Sequence, residues 1–537
     1  MDPGISDRLI ITAPMYFSHP AEDCGYCKGE KKDPRYFFAL ESFFEKYRTD
    51  VLKDKLQIEH SSIGFQAMKM NVRQYERLCN LGFRRSGDFI YRTEMLRNCC
   101  RLYTIRTSLK QFKITKEFKS AINKFTKRIT TTEQLEKLRK KSEANKNKPY
   151  DFIEKLNEAE MISTNFQTVY EPAVFSEEKY LLFARYQEAV HKDFDHSPKG
   201  FERFLCHCPF TNTGTEEQWK QLNEARIHDI RIASQKEVSG PVHECYYYDD
   251  KLIALSVLDI LPTGISSVYF IWDPDYRDWS LGKISALREL ALVERESKKY
   301  YYLGLYADDC PKMNYKGAYG GELLDICNGK FVPLEFLKVN GMISESKFFT
   351  INDDSMRNGD IYIEDEINLP FPSCVDKREP SLRAALPENI ETTNTKDFDI
   401  NRAEVVYGVD GSAYGGIEEL VKLFAEQDIE YTIEPSNVLN LVPKDEYIEQ
   451  SARYALFPSV SPGLMPLWQL MYFMEHEGGN RIDGVFAELL VVEFSPFTGI
   501  RRLENILDES KQVKTAVCNL IRILGPSFAA EVLLVCQ

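Results

Sequence analysis

No apolar run of about 18 residues occurs anywhere in the 537-residue sequence, which excludes a membrane-spanning helix. The stretch from Met1 to Tyr16 lacks a basic region followed by an apolar one, so no secretory leader is expected. Positive charge is short: 68 Lys and Arg stand against 82 Asp and Glu, a net charge of −14. That excludes a protein that coats nucleic acid indiscriminately but leaves room for a local basic face, because binding follows the local field. No internal repeat is evident, so repeat architectures are set aside. What is present is an ordinary apolar fraction of 43% and many aromatics, 29 Tyr and 33 Phe, enough for large cores or stacking surfaces. The length suggests two or three domains. The reading is an intracellular, soluble protein, in which the 13 cysteines are thiols or metal ligands and not a disulfide framework.

The chain divides into five stretches. Residues 7–108 read as a compact Cys-bearing unit, opening on the strand-like Leu9-Ile10-Ile11 and closing on Leu102 to Ile105. Residues 109–150 form a basic helical segment or linker. Between 110 and 148 lie 13 Lys or Arg and 4 Glu, a local charge of +9 that leaves −23 for the rest. Within it Phe112, Phe118, Ile122 and Phe125 recur at roughly helical spacing. Residues 151–345 carry mixed signals. Leu252 to Val257 and Ser266 to Trp272 predict neighbouring strands around an Asp259-to-Gly264 turn. Ser280 to Lys298 predicts an amphipathic helix with Ser280 as N-cap, and Tyr300 to Tyr306 a third strand. Residues 346–400 read as an acidic linker or loops. Residues 401–537 read as an α/β accessory region with patterns at Gly416 to Gln427 and Phe486 to Glu493.

Cys24-Gly25-Tyr26-Cys27 is a CxxC whose turn aims two sulfurs at one soft ion, and Cys99-Cys100 supplies a distant second pair. Four thiolates suit zinc or an iron–sulfur cluster. The alternatives are buried free thiols or a redox pair. Cys79 reads as core, and Cys206-His207-Cys208 lacks a matching pair.

The cysteine motifs, with Arg97 to Arg106, resemble the N-terminal domain of eukaryotic arginyl-tRNA–protein transferases. Further on, Gly240 to Tyr248, Lys251 to Ala254, Asp259 to Pro262, Ser266 to Phe270, Asp273 to Tyr276, Ser280 to Gly282, Tyr302 to Gly304 and Cys310 to Lys316 resemble the same family's second region, in the family's order. The likeness covers about residues 7–110 and 175–330, and the layout is similar to the fungal branch. Leu305 stands where relatives have a second Tyr, and a common Pro is missing near Tyr319-Gly320-Gly321. The resemblance implies an α+β fold whose middle region is N-acetyltransferase-like (GNAT), a mixed sheet that splays open around an activated acyl donor. It also implies transfer of arginine from charged Arg-tRNA to protein N-termini that begin with Asp, Glu or oxidised Cys. Such transfer marks the acceptor for the N-degron route and a downstream ubiquitin ligase, in the cytoplasm and also the nucleus.

Aminolysis of an ester already activated on tRNA needs no nucleotide cofactor, only an amine held near the carbonyl and a base. Asp273 and Asp275, at the end of a strand, are the expected catalytic acids, with Pro274 fixing their separation. The same Asp-Pro-Asp also fits a plain turn, and Asp259 is a third acid with a turn-like setting. Ser280 and Gly282, at a helix start, can present backbone N–H groups to an oxygen. The acceptor carboxylate calls for cations or hydroxyls: His243, Lys312, Tyr315 and Lys316, with Tyr186, Gln187 and His191 from a neighbouring motif. Arg84, Arg85, Arg101, Lys110, Lys113, Lys116, Lys119, Lys124, Lys127 and Arg128 are the expected tRNA contacts, and binding through them is salt-sensitive. The donor's guanidinium needs a carboxylate that the sequence does not single out.

Three other functions fit part of the pattern. A leucyl-transferring or FemABX-like enzyme shares the chemistry with another donor. A non-catalytic metal-binding nucleic-acid adaptor keeps the cysteines and tolerates loss of Asp273 and Asp275. A true acetyltransferase is disfavoured by the lack of an Arg/Gln-x-x-Gly-x-Gly/Ala loop.

Overall fold

The computed structural model describes residues 7–31, 59–95, 98–144, 147–211, 214–228, 239–326, 329–344, 349, 456–457, 461–465, 470, 489–493 and 499–536. The predicted linker 346–400, apart from Phe349, and the pattern at Gly416 to Gln427 lie outside these residues. Among the described residues the fold is mixed α+β, with two eight-stranded sheets. Among the described residues no helix is long and apolar enough to cross a membrane.

The first sheet joins β1 (Leu9–Thr12), β2 (Met15–Pro20), β3 (Glu59–Lys69), β4 (Arg84–Ser86) and β5 (Phe89–Thr93) to β14 (Leu490–Glu493), β15 (Arg501–Arg502) and β16 (Val532–Cys536). β1 lies parallel to β16, so the early and late parts of the chain share one sheet. The Val-Leu-Leu-Val-Cys run of β16 is buried along its length, as a parallel strand covered on both faces requires. Helix α1 (Val72–Asn80) starts at a reciprocal cap between Asn71 and Gln74.

The second sheet runs in the order β13-β12-β6-β11-β10-β9-β8-β7, with β6 (Tyr103–Thr107), β7 (Phe166–Pro172), β8 (Gly240–Tyr248), β9 (Lys251–Ile260), β10 (Gly264–Trp272), β11 (Tyr300–Tyr306), β12 (Glu322–Asp325) and β13 (Lys330–Pro333). The strand-like run that follows Cys99-Cys100 thus becomes β6, a central strand of this sheet, antiparallel to both β11 and β12. β8 and β9 are joined by Asp249 and Asp250, both at positive φ, as a two-residue hairpin turn demands.

On the helical side, Thr115 caps α2 (Lys116–Ile129), which buries Phe118, Ile122, Phe125 and Ile129. Each of those side chains contributes about 2 kcal/mol of hydrophobic stabilisation. α3 (Thr132–Ala144) buries nothing. α4 (Phe152–Ile162), α5 (Glu177–Tyr186) and α6 (Glu216–His228) follow. α7 (Leu281–Arg295) is the crossover that returns the chain from β10 to the parallel β11.

β10 and β11 pair only where Gly264–Ser266 face Tyr300–Tyr302. Beyond that point β10 follows β9 as far as Trp272, while β11 follows β6 as far as Tyr306. Each strand has an irregularity there. The β10 register shifts between Ser267 and Tyr269, leaving Val268 outside the ladder, and the β11 register shifts between Tyr302 and Gly304. Gly304 has φ +83, a conformation that favours glycine. The two parallel strands therefore part company beside Gly304.

Candidate active site and cysteine centre

The sulfurs of Cys24, Cys27, Cys99 and Cys100 all lie within 4.8 Å of one another, and all four residues are buried. Cys27 and Cys99 are 3.6 Å apart and Cys24 and Cys100 4.0 Å apart, sulfur to sulfur. The centre ties the Cys24–Cys27 loop to the segment that leads into β6. The same loop touches the turns after β11: Lys312 Nζ donates to Gly25 O at 3.4 Å, and Lys31 pairs with Asp309 at 2.5 Å.

Around the parting of β10 and β11 the structure gathers several of the expected binding residues. α5 runs straight into a π-helical turn, Gln187–His191, a form found often at functional sites. The Tyr186 ring packs edge-on against His191 at 5.3 Å and Trp272 at 5.7 Å. His191 Nε2 is 3.5 Å from the Tyr269 hydroxyl, and Gln187 lies against that hydroxyl. Burial, and then Lys312 nearby, hold the His191 imidazole below its ordinary pKa, so it is neutral at pH 7. Across the opening, Tyr315 is exposed and Lys316 donates to Leu305 O at 2.8 Å. Burial, then Arg84, lower the Lys316 pKa to about 7. Tyr186, Gln187, His191, Lys312, Tyr315 and Lys316 thus share one neighbourhood.

Asp273 and Asp275 are differently placed. Asp273 is fully buried and receives Lys251 at 2.7 Å and Arg185 at 2.8 Å, while its other oxygen caps the Asp275 N–H at 3.1 Å. The second Arg185 nitrogen holds the exposed Asp275 at 2.9 Å. The pair clamps the end of β10 to α5, and the Asp273 oxygens are taken up, one by two cations and the other by a backbone N–H. Asp259 is likewise committed, fully buried in a bidentate pair with Arg85 at 2.7 Å.

Other expectations need correction. His243 lies in the middle of β8, fully buried, with Nε2–H donating to Leu205 O at 3.1 Å and Nδ1 without a partner, so it is a core residue and no pocket cation. Arg84, Arg85 and Arg101 are buried and offer no surface to tRNA. Arg101 donates to Asn98 O. Ser280 occupies the N-cap position of α7 as expected, but at φ +58 and without a side-chain capping bond. Gly282 is exposed at that helix start, over the Phe270 ring. Lys110, Lys113, Lys116, Lys124, Lys127 and Arg128 are exposed, and Lys119 sits 4.7 Å over the Tyr150 ring. Helix α2, which carries all of these but Lys110 and Lys113, packs Phe118 on Tyr319 at 4.9 Å, and its Glu117 pairs with Lys283 of α7.

Burial pushes the His243 pKa down to about 3. The unfolded chain, at about 6.5, binds this proton first, so stability falls as pH drops from 6.5 towards 3, by about 1.4 kcal/mol per unit from this group alone. His243→Gln is expected to flatten that limb in urea-unfolding midpoints measured between pH 7 and 4; an unchanged slope would refute the assignment.

Sequence reasoning missed Tyr269 and Trp272 of the aromatic wall, the cations Arg185 and Lys251, and the buried Glu289 below the sheet. Glu289 accepts from Ser256 at 2.7 Å, Ser285 at 2.5 Å and Tyr301. Gly304 was the readable signal: a lone glycine inside a strand pattern marks a bulge or a close approach.

Residues 22–120 match the family model described as arginine-tRNA-protein transferase, N terminus, and residues 178–325 match its C-terminus model. The molecule is therefore a transferase. A Saccharomyces cerevisiae protein named arginyl-tRNA–protein transferase 1 is 41% identical over 527 residues, 97% of either chain. A Drosophila melanogaster protein of the same name is 35% identical over 184 residues, 33% of this chain and 34% of its own. An aspartate/glutamate leucyltransferase of Stutzerimonas stutzeri is 27% identical over 250 residues, 47% of this chain and 79% of its own. The chain belongs to the arginyl-tRNA–protein transferase family.

Proposed function

We propose that the chain moves arginine from charged Arg-tRNA to the α-amino group of proteins beginning with Asp, Glu or oxidised Cys, marking them for N-degron degradation through a ubiquitin ligase, in the cytoplasm and nucleus. The observation that carries the reading is the parting of β10 and β11 beside a wall of tyrosines and cations. It supports a GNAT-like core in which the esterified tRNA tip enters between the two strands. The register shift leaves Val268 outside the ladder, and in this scheme its backbone N–H is the donor for the ester's developing oxyanion. The acceptor amine attacks the carbonyl carbon, a C–N bond forms, and the C–O bond to the ribose breaks. The α-amino pKa is near 8, so about a tenth of the amine is already neutral at pH 7. The neutral His191 imidazole takes the proton released by the amine and passes it to the departing ribose oxygen. Asp273 and Asp275 serve in this scheme as anchors of the α5 wall through Arg185, not as the base.

The exposed lysines of α2 lead tRNA phosphates towards the opening. The four thiols fit one tetrahedral ion: a metal–sulfur bond of about 2.3 Å gives sulfur separations of about 3.8 Å, whereas thiolates on different irons of a cluster stand further apart. Cys24, Cys27, Cys99 and Cys100 would hold a zinc-like ion in a structural role, and no nucleotide cofactor enters the reaction.

Labelled arginine supplied on tRNA is expected to reach peptides led by Asp or Glu and not by Ala, and labelled leucine on tRNA none of them. Equal incorporation into the Ala-led peptide, or preference for leucyl-tRNA, would overturn the reading.

A further inference from the structure

Arg84 and Lys316 come from opposite parts of the chain and converge on Gly304. Arg84, on β4 of the first sheet, is buried, with 7% exposure. Its guanidinium lies 6.0 Å over the Tyr302 ring and donates to backbone carbonyls: Phe83 O at 2.6 Å, Cys79 O at 3.2 Å and Gly304 O at 3.4 Å. Its Nε has no hydrogen-bond partner. Lys316, after β11, donates to Leu305 O and lies 3.5 Å from the Met313 sulfur. Its amine would meet the first side-chain carbon of any residue replacing Gly304 at 3.6 Å. Among the described residues, no carboxylate pairs with either cation. Three other strongly buried arginines do have one: Arg85 holds Asp259, Arg106 holds Glu322, and Arg288 holds Glu244. A buried guanidinium Nε without a partner, beside an amine that burial and Arg84 hold near a pKa of 7, is costly until an anion arrives.

We propose that Arg84 and Lys316 form the corner that selects the acceptor's side-chain carboxylate, rather than contacting tRNA. This rests on the reading of the chain as an arginyltransferase for acidic N-termini. Arg84 is too deep for a phosphate on a folded polynucleotide backbone. An Asp or Glu side chain at a free N-terminus is slim enough to enter where the strands part. Its amine then lies beside the opening that receives the ester. Gly304 is required between the cations because a side chain there would stand between them and the carboxylate. Charge-assisted bonds to a guanidinium and an ammonium supply the discrimination against an uncharged isostere.

The test compares Asp-led with Asn-led peptides, which differ in charge and hardly in shape. With Arg84→Gln and Lys316→Met, kcat/KM for the Asp-led peptide is expected to fall about 100-fold and the Asp:Asn preference to collapse towards one. A variant that is merely damaged slows both peptides alike and keeps the preference. Lys316→Met leaves the buried sheet interface of Arg84 intact, so it tests the idea even if Arg84→Gln folds poorly. Peptide affinity is measured without tRNA as a second readout. Loss of Asp-over-Asn binding in the variants supports the corner even should arginine transfer itself fail. Wild-type transfer with an unchanged Asp:Asn preference in both variants overturns the corner and leaves the functional reading standing. Weaker Arg-tRNA affinity with that preference retained assigns the two cations to tRNA and equally overturns the proposal.

Discussion

Single replacement of Cys24, Cys27, Cys99 or Cys100 by Ser is expected to strip bound metal from the purified protein and to lower its thermal midpoint by about 10 °C or more. Structural zinc in small domains is worth about 10–16 kcal/mol, and even a few kcal/mol shifts the midpoint by about 2–4 °C each in a body of a couple of hundred residues. The effect is large here because of what the centre joins. Cys99 and Cys100 lead into β6, which lies between β11 and β12. Cys24 and Cys27 hold the loop whose Gly25 and Lys31 engage Lys312 and Asp309. Releasing the ion therefore loosens the wall of the opening and a central strand together. Elemental analysis should find one metal per chain with no acid-labile sulfide. Iron with matching sulfide would replace the single ion by a cluster, and metal-free wild-type protein of equal stability would remove the centre.

Local patterning was legible wherever a face is buried with a period. Tyr300–Tyr306 is a strand with the bounds expected of it, and the helix predicted from Ser280 spans Leu281–Arg295. The basic helix was readable because Phe118, Ile122 and Phe125 define its inner face. The cysteine quartet was readable because thiols have few other uses in such a pattern. Long-range pairing was not legible. Arg85 finds Asp259 174 residues away, and Asp273 finds Arg185 88 residues back, so a cation or acid that looked available in sequence is already spent. His243 failed for a related reason. On a strand buried along most of its length, an imidazole that donates to one carbonyl is cheaper to keep neutral than to charge. The opening itself depends on two strands pairing for three residues and then choosing different neighbours, which no local pattern encodes.

That dependence gives the second large effect. Gly304→Val is expected to lower kcat/KM for arginine transfer by at least about 100-fold while the protein still folds. The backbone at φ +83 costs a non-glycine residue about 1–2 kcal/mol, more for a β-branched one, which a protein of this size can bear. The first added carbon has room, meeting Lys316 Nζ at 3.6 Å and Ser267 O at 4.0 Å. Its two methyl groups do not: they would stand in the gap between β10 and β11 and hold the ester away from the amine. Gly304→Ala separates the two contributions, since it carries the backbone strain without filling the gap. It should lose a similar share of stability and much less activity. If both variants lose activity in proportion to stability, the glycine serves the fold alone. If Gly304→Val transfers arginine at the wild-type rate, the reacting groups meet somewhere other than between these strands.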